Sequence, residues 1–313
     1  MKKIIISLMS IGLITISSQV IASEKMTVLL DWFINPDHGP LIIAQERGEF
    51  SKRQIDVDLI APADPNDPPK LVAAGRADIA VSYQPQLHLQ IDAGLPLSRI
   101  GTLIATPLNS IVFLESSSIK SIADLKGKKI GFSVGGFEDA LLGSMLAKHG
   151  LTLKDVTLIN VNFALSPSLM SGQVDAVIGA FRNFELNQMD ILGRPGRALF
   201  LEEEGIPSYD ELILVAKNDK LDDKRLRNFI EAVEAGTQYI INHPNQAWKL
   251  FIKNHKDLDN ELNRRAWRDT LPRFALRPGA LDKNRYLRFA EFLKSNNLIK
   301  KTPPVSTYAI EIP

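Results

Sequence analysis

The sequence predicts an α/β chain of two lobes, each a βαβ-built sheet flanked by helices. Three observations carry that expectation. Two stretches spell the same strand-helix-strand-helix-strand order, a Gly-x-x-Asp spacing recurs at the same point of both, and an apolar strand with a long helical tail follows the second.

The first 22 residues have the build of a secretory signal: Lys2 and Lys3, an apolar run from Ile4 to Ile16, then Gln19-Val20-Ile21-Ala22, with cleavage expected after Ala22. The apolar run stops short of the ~20 residues that span a bilayer, and Ser17, Ser18 and Gln19 interrupt it, which argues against a membrane anchor. No later stretch is apolar for ~18 residues, so the mature chain is expected to be soluble and free in a periplasm. The chain has no cysteine, which closes the lipid-anchored route and removes disulfides, thiolate metal sites and cysteine nucleophiles. The 291 residues left after cleavage are enough for two domains of ordinary size. They carry 35 basic and 36 acidic residues, a balance that gives no support for a nucleic-acid partner. The basic cluster Asn263-Arg264-Arg265-Ala266-Trp267-Arg268 lies between Glu261 and Asp269 and reads as a solvated helix face.

In the first unit, Thr27 to Leu30 is a β-prone run ending at Asp31, and a Pro/Gly loop leads to a helix over Leu41 to Arg47, stopped by Gly48. Ile55 to Ile60 alternates apolar and acidic residues as a half-buried strand does. Ala61 to Pro69, with four prolines, is expected to be loop. A helix over Lys70 to Ala74 ends at Gly75, and Asp78 opens the strand Ile79-Ala80-Val81. The second unit repeats this order: strand Lys129 to Phe132, the loop Ser133-Val134-Gly135-Gly136, a helix from Phe137 to Lys148, strand Val156 to Val161, a helix from Pro167 to Ser171, then Gly172, Asp175 and the strand Ala176 to Gly179. The strand Glu211 to Ala216 and a helical segment from Asp223 to Ile241 read as the chain returning to the first lobe. The expected division is residues 23–109 for the first part of lobe 1, 110–210 for lobe 2, and 211–313 for the return. Crossings near Pro107 to Ile111 and Ser208 to Leu212 would form a two-stranded hinge.

Such sheets bind ligands at the C-terminal ends of their strands, so the cleft between lobes is the expected site. The densest unusual segment, Asp31-Trp32-Phe33-Ile34-Asn35-Pro36-Asp37-His38-Gly39-Pro40, stands at the end of the first strand. Trp32 beside Asp31, Asn35 and His38 suits a flat ligand with ring nitrogens; plain packing of the aromatics, with His38 at the surface, is the competing reading. Backbone amides at Gly135 and Gly136 have the placement to receive an oxygen or an anion, and a turn needing positive φ explains the glycines equally well. Tyr83, and Phe181 with Phe184 and Glu185, end the last strand of each unit and are expected to face the cleft from opposite walls. Glu185 suits a charge-assisted bond to an aminopyrimidine-like edge, or simply starts a helix. Ser82 and Asn183 complete the candidate set. The five histidines show no pairing for a zinc site, and no Gly-x-Ser-x-Gly or phosphate-binding loop occurs, so no catalytic residue, metal or cofactor is expected.

From Thr27 to about Lys217 the chain resembles the family that joins bacterial transporter binding proteins for thiamine pyrimidine precursors with the fungal pyrimidine synthase of thiamine biosynthesis. Asp31-Trp32 with His38 and Pro40, Gly75-Arg76-Ala77-Asp78, Leu125-Lys126-Gly127-Lys128-Lys129-Ile130-Gly131 and Gly172-Gln173-Val174-Asp175-Ala176 carry the resemblance. It implies a type II periplasmic-binding fold and, as ligand, a formylaminopyrimidine or hydroxymethylpyrimidine, with an ABC importer permease as the expected partner; the chain itself is expected to be a monomer. Sulfonates, nitrate and other small solutes are ligands of the broader class. It also presents an enzyme alternative, because in the synthase a lysine holding pyridoxal phosphate follows the Gly-x-x-Asp strand and a histidine consumed in the reaction comes four residues later. The matching positions here are Ser82 and Gln86, and the synthase's C-terminal cysteines have no counterpart.

Overall fold

The computed structural model describes residues 23–312; the expected signal peptide and its cleavage after Ala22 lie outside them. Two five-stranded mixed sheets organise the chain. The first contains β1 (Glu24–Leu29), β2 (Ile55–Ile60), β3 (Ile79–Ser82), β4 (Leu97–Ile104) and β10 (Leu212–Lys217), in the order β2-β1-β3-β10-β4. The second contains β5 (Asn109–Leu114), β6 (Lys129–Phe132), β7 (Thr157–Asn160), β8 (Ala176–Phe181) and β9 (Gly196–Phe200), in the order β7-β6-β8-β5-β9. β1 runs parallel to β2 and β3, and β6 parallel to β7 and β8, while β10 and β5 enter antiparallel to their neighbours.

The repeated Gly-x-x-Asp spacing has a structural cause. Gly75 and Gly172 end short helices at φ +72 and +77, where only glycine is unstrained. Three residues on, Asp78 accepts the Thr27 amide at 2.8 Å and returns its own amide to the Thr27 carbonyl at 3.0 Å. Asp175 makes the same reciprocal pair with Lys129, both bonds 2.8 Å. Each aspartate thus docks its strand against the first strand of its unit.

One expectation is corrected. The segment 61–69 is not all loop, since Pro68 and Pro69 open helix α2 (Pro68–Ala73), at positions where a missing N–H costs nothing. Helix α1 (Gly39–Glu46) packs beneath the first sheet against α7 (Lys224–Asn242). α7 buries Leu226, Phe229, Ile230, Val233, Thr237 and Ile240 along one face at helical spacing. A Cβ on Gly236 would stand 2.5 Å from the Pro40 carbonyl, so glycine permits this approach. The C-terminal tail is pinned by buried Arg99, which donates to the carbonyls of Pro278, Gly279, Ala280 and Ile310.

The chain passes between sheets from β4 to β5 and from β9 to β10. Glu211, fully buried, joins the two passages: one carboxylate oxygen accepts the amides of Leu108 and Asn109 (2.5 and 2.8 Å) and the Tyr209 hydroxyl (3.1 Å). Its other oxygen is buried without a partner. Burial pushes Glu211 up to about 7.

Candidate functional site

Between the sheets lies a narrow cleft lined by Asp31, Trp32, Asn35, Asp37 and Tyr83 from one side and by Val134, Phe137, Glu138, Leu165, Gly179, Phe181, Phe184 and Glu185 from the other, together with Leu212 of β10. Every lining position on the first side follows the C-terminal end of β1 or β3, as open α/β sheets place their ligands.

Asp31 holds the first wall together. Its Oδ1 accepts from His38 Nε2 at 2.8 Å and its Oδ2 from the Tyr83 hydroxyl at 2.9 Å. The Asn35 amide donates to His38 Nδ1 at 3.3 Å, so Nε2 carries the proton that goes to Asp31. His38 is fully buried behind Asp31 rather than at the surface. Trp32 meets Phe163 of the other lobe edge to face, centroids 4.6 Å apart, and Tyr83 lies stacked on Phe137 at 5.1 Å. The lobes are therefore in contact across the cleft.

Two polar latches flank these aromatics. On one side Asp37 Oδ1 accepts from Asn183 Nδ2 at 2.7 Å and from the Thr270 hydroxyl at 2.8 Å, tying the first wall to lobe 2 and to helix α9 (Glu261–Thr270). On the other, Asn66 in the proline-rich loop accepts the Gly135 amide at 2.9 Å and donates to the Ser133 carbonyl at 3.3 Å.

Four carboxylates line the cleft, and no lysine, arginine or histidine does. Burial pushes Asp37 up to about 6, and Glu138 and Glu185 up to about 8, against the hydrogen bonds that lower each of them. In the unfolded chain such groups lose their protons near pH 4. In the folded chain they keep them to about pH 6 to 8, so the folded state binds more protons across that window and its stability falls as pH rises. The ligand-free protein should melt at a higher temperature at pH 5 than at pH 8, and Glu138→Gln should flatten the dependence. Thermal scans at fixed ionic strength test this; a melting temperature that rises from pH 5 to 8 contradicts it.

Of the residues expected to bind, Asp31, Trp32, Asn35, Tyr83, Phe181 and Glu185 line the cleft. Glu185 also serves as the helix-starting acid, since its Oε2 accepts the Phe181 amide at 2.7 Å at the head of helix α6 (Glu185–Ile191). The other expected residues stand outside the lining. His38 and Asn183 stand behind the lining: His38 donates to Asp31, and Asn183 Nδ2 donates to Asp37 while its Oδ1 is buried without a partner. Ser82 is buried and donates to Gln86 at 2.9 Å. Gly135 and Gly136 do not line the cleft, because their amides are given to Asn66 and Asp139. Gly136, at φ +94, is the turn glycine of the competing reading. Asp37, Phe137, Glu138 and Gly179 are lining residues that the sequence reading missed, and the signal for the last was a glycine inside an apolar strand, which marks close approach.

The family model described as NMT1/THI5 like matches residues 35–247. The chain belongs to this family. It is 53% identical to a Haemophilus influenzae protein provisionally described as a thiamine biosynthesis protein, over 93% of both chains. It is 31% identical to the formylaminopyrimidine-binding protein of Halalkalibacterium halodurans, over 75% of this chain and 72% of that one. It is also 31% identical to the 4-amino-5-hydroxymethyl-2-methylpyrimidine phosphate synthase of Uromyces fabae, over 78% and 74%. The family thus holds both binding proteins and enzymes. Among solved structures the alkanesulfonate-binding protein of Xanthomonas axonopodis pv. citri superposes with a TM-score of 0.72, covering 92% of this chain and 98% of that one at 16% identity. The fold is that of the type II periplasmic binding proteins.

Proposed function

We propose that the chain is an exported receptor that captures an unphosphorylated aminopyrimidine, formylaminopyrimidine or hydroxymethylpyrimidine, between its lobes and hands it to the permease of an ABC importer. One observation carries the reading: the cleft is lined by five aromatic rings and four carboxylates without a cation. Flat rings suit the space between Trp32, Tyr83 and Phe181, exocyclic amino groups find carboxyl oxygens as acceptors, and a ring nitrogen can accept from a carboxyl group that burial keeps protonated, Glu138 or Glu185. A sulfonate or nitrate would find no basic partner in the lining, which disfavours the anions taken by structural neighbours despite the shared fold.

The enzyme reading meets an obstacle at the place where the synthase carries its lysine. Ser82 has no amine, is buried and is paired with Gln86, and the lining offers no cation for a phosphate. These residues do not fit pyridoxal phosphate. Titrating the mature protein with formylaminopyrimidine by calorimetry, with Trp32 emission followed in parallel, should give saturable heat and quenching. No heat with either aminopyrimidine at high micromolar concentration would remove the ligand assignment, and a pyrimidine product formed on incubation with pyridoxal phosphate and iron would favour the enzyme.

A further inference from the structure

The turn before helix α4 (Glu138–Lys148) has the make-up of an anion cradle, four successive amides at the head of an 11-residue helix, yet each is already taken. Glu138, the first residue of α4, folds its carboxyl group back to accept the Ser133 amide at 2.8 Å and lies against that of Val134. The Gly135 amide goes to Asn66 across the cleft at 2.9 Å, and the Gly136 amide to Asp139 at 2.6 Å. Glu138 is 3% exposed and lines the cleft directly over Gly179. There a Cβ would stand 2.7 Å from the Glu138 carboxyl carbon, so the backbone of β8 is kept bare beneath this side chain.

We propose that Glu138 is a specificity-determining plug: by filling the cradle with the protein's own carboxyl group it rejects phosphorylated ligands and restricts the cleft to the free pyrimidine. The proposal deepens the aminopyrimidine reading and takes its first probe from it. An incoming phosphate ester must evict Glu138 from two amides, leaving that carboxyl group buried and without partners, or else lie unpaired beside Glu138 and Asp37; either is costly in a site without a basic residue. Because burial raises Glu138 to about 8, the plug holds a proton for much of the time at pH 7. Rejection therefore rests on the occupied amides and the filled volume more than on charge. Nothing in the lining supplies a cationic donor to a phosphate.

The test is calorimetry on mature wild type and Glu138→Ala with three probes: 4-amino-5-hydroxymethyl-2-methylpyrimidine, its phosphate ester, and inorganic phosphate. Wild type should prefer the free pyrimidine by at least ~100-fold, the scale on which a site leaving buried polar groups unpaired discriminates, and the variant should narrow that ratio at least ~10-fold. Inorganic phosphate should give heat with the variant only. Equal affinity of wild type for both pyrimidines overturns the plug without any variant, and so does an unchanged ratio in a folded Glu138→Ala protein. If neither pyrimidine binds wild type, the ligand reading falls by itself, and the phosphate arm still decides: a gain by the variant supports the plug and no gain overturns it.

Discussion

Gly179→Ala should lose ~2–4 kcal/mol of stability and take ligand capture with it, the sum of a non-glycine residue forced to positive φ and an overpacked contact. Gly179 sits at φ +96 inside β8, and its missing side chain leaves the space that the Glu138 carboxyl group occupies. Glu138 has little freedom to retreat, since it is held by the Ser133 and Val134 amides at the head of α4. An added methyl must therefore move either the helix or the strand, and both line the cleft. Gly172→Ala is the control, because Gly172 also has positive φ (+77) but nothing within 4 Å of a Cβ. It should cost only the backbone strain, ~1 kcal/mol, with binding kept. Urea unfolding and calorimetry on the two variants measure both effects. Equal behaviour of the two would mean that the Gly179–Glu138 contact carries no weight.

The paired Gly-x-x-Asp motifs are local in sequence and each fixes a strand to its neighbour by a reciprocal hydrogen bond, so the two units and the two-lobed class were legible from spacing. β4 was not, because its stretch Leu97-Ser98-Arg99-Ile100-Gly101 carries a charge and a glycine in a fully buried strand. Arg99 is tolerable there only because carbonyls from residues 278–280 and 310 converge on it, a partnership some 180 to 211 residues away. Gly101 leaves room for Ile230, whose Cδ1 would stand 2.7 Å from a Cβ and would have to turn aside. Neither cause leaves a local trace.

Site residues divide along the same line. Asp31, Trp32, Tyr83, Phe181 and Glu185 stand at or just beyond the ends of strands, where topology alone sends them into the cleft. Asp37 and Glu138 were missed because an acid near the start of a helical turn reads as a solvated cap, and only the tertiary fold, which sets Asn183 and Thr270 against Asp37 and the strand at Gly179 beneath Glu138, buries them. His38 misled in the opposite sense. Its chemistry suggests contact with ligand, but Asp31 needs a buried donor on its far side to stay in place, and His38 supplies it.

Trp32→Ala should weaken capture ~5- to 150-fold, the equivalent of ~1–3 kcal/mol for a base stacked on an aromatic ring. Trp32 acts in two places. One part of the ring lines the cleft, and its packing on Phe163 joins the first wall to the second lobe. Phe163→Ala separates these roles, since it leaves the Trp32 face for the ligand and removes only the contact across the cleft. Its loss should be smaller and should come from faster release, because an interlobe contact made after docking adds to the closed state alone. Glu185→Gln keeps shape and its bond to the Phe181 amide, and because burial raises Glu185 to about 8 it removes little charge at pH 7, so it too should lose less than Trp32→Ala and melt at a similar temperature. Stopped-flow measurement of release, with small-angle scattering at saturation, reads both quantities on each variant. A radius of gyration that shrinks with ligand in wild type and less in Phe163→Ala would place closure in the Trp32–Phe163 contact; no change in wild type, with binding intact, would reject hinge closure and leave Trp32 as a stacking platform only.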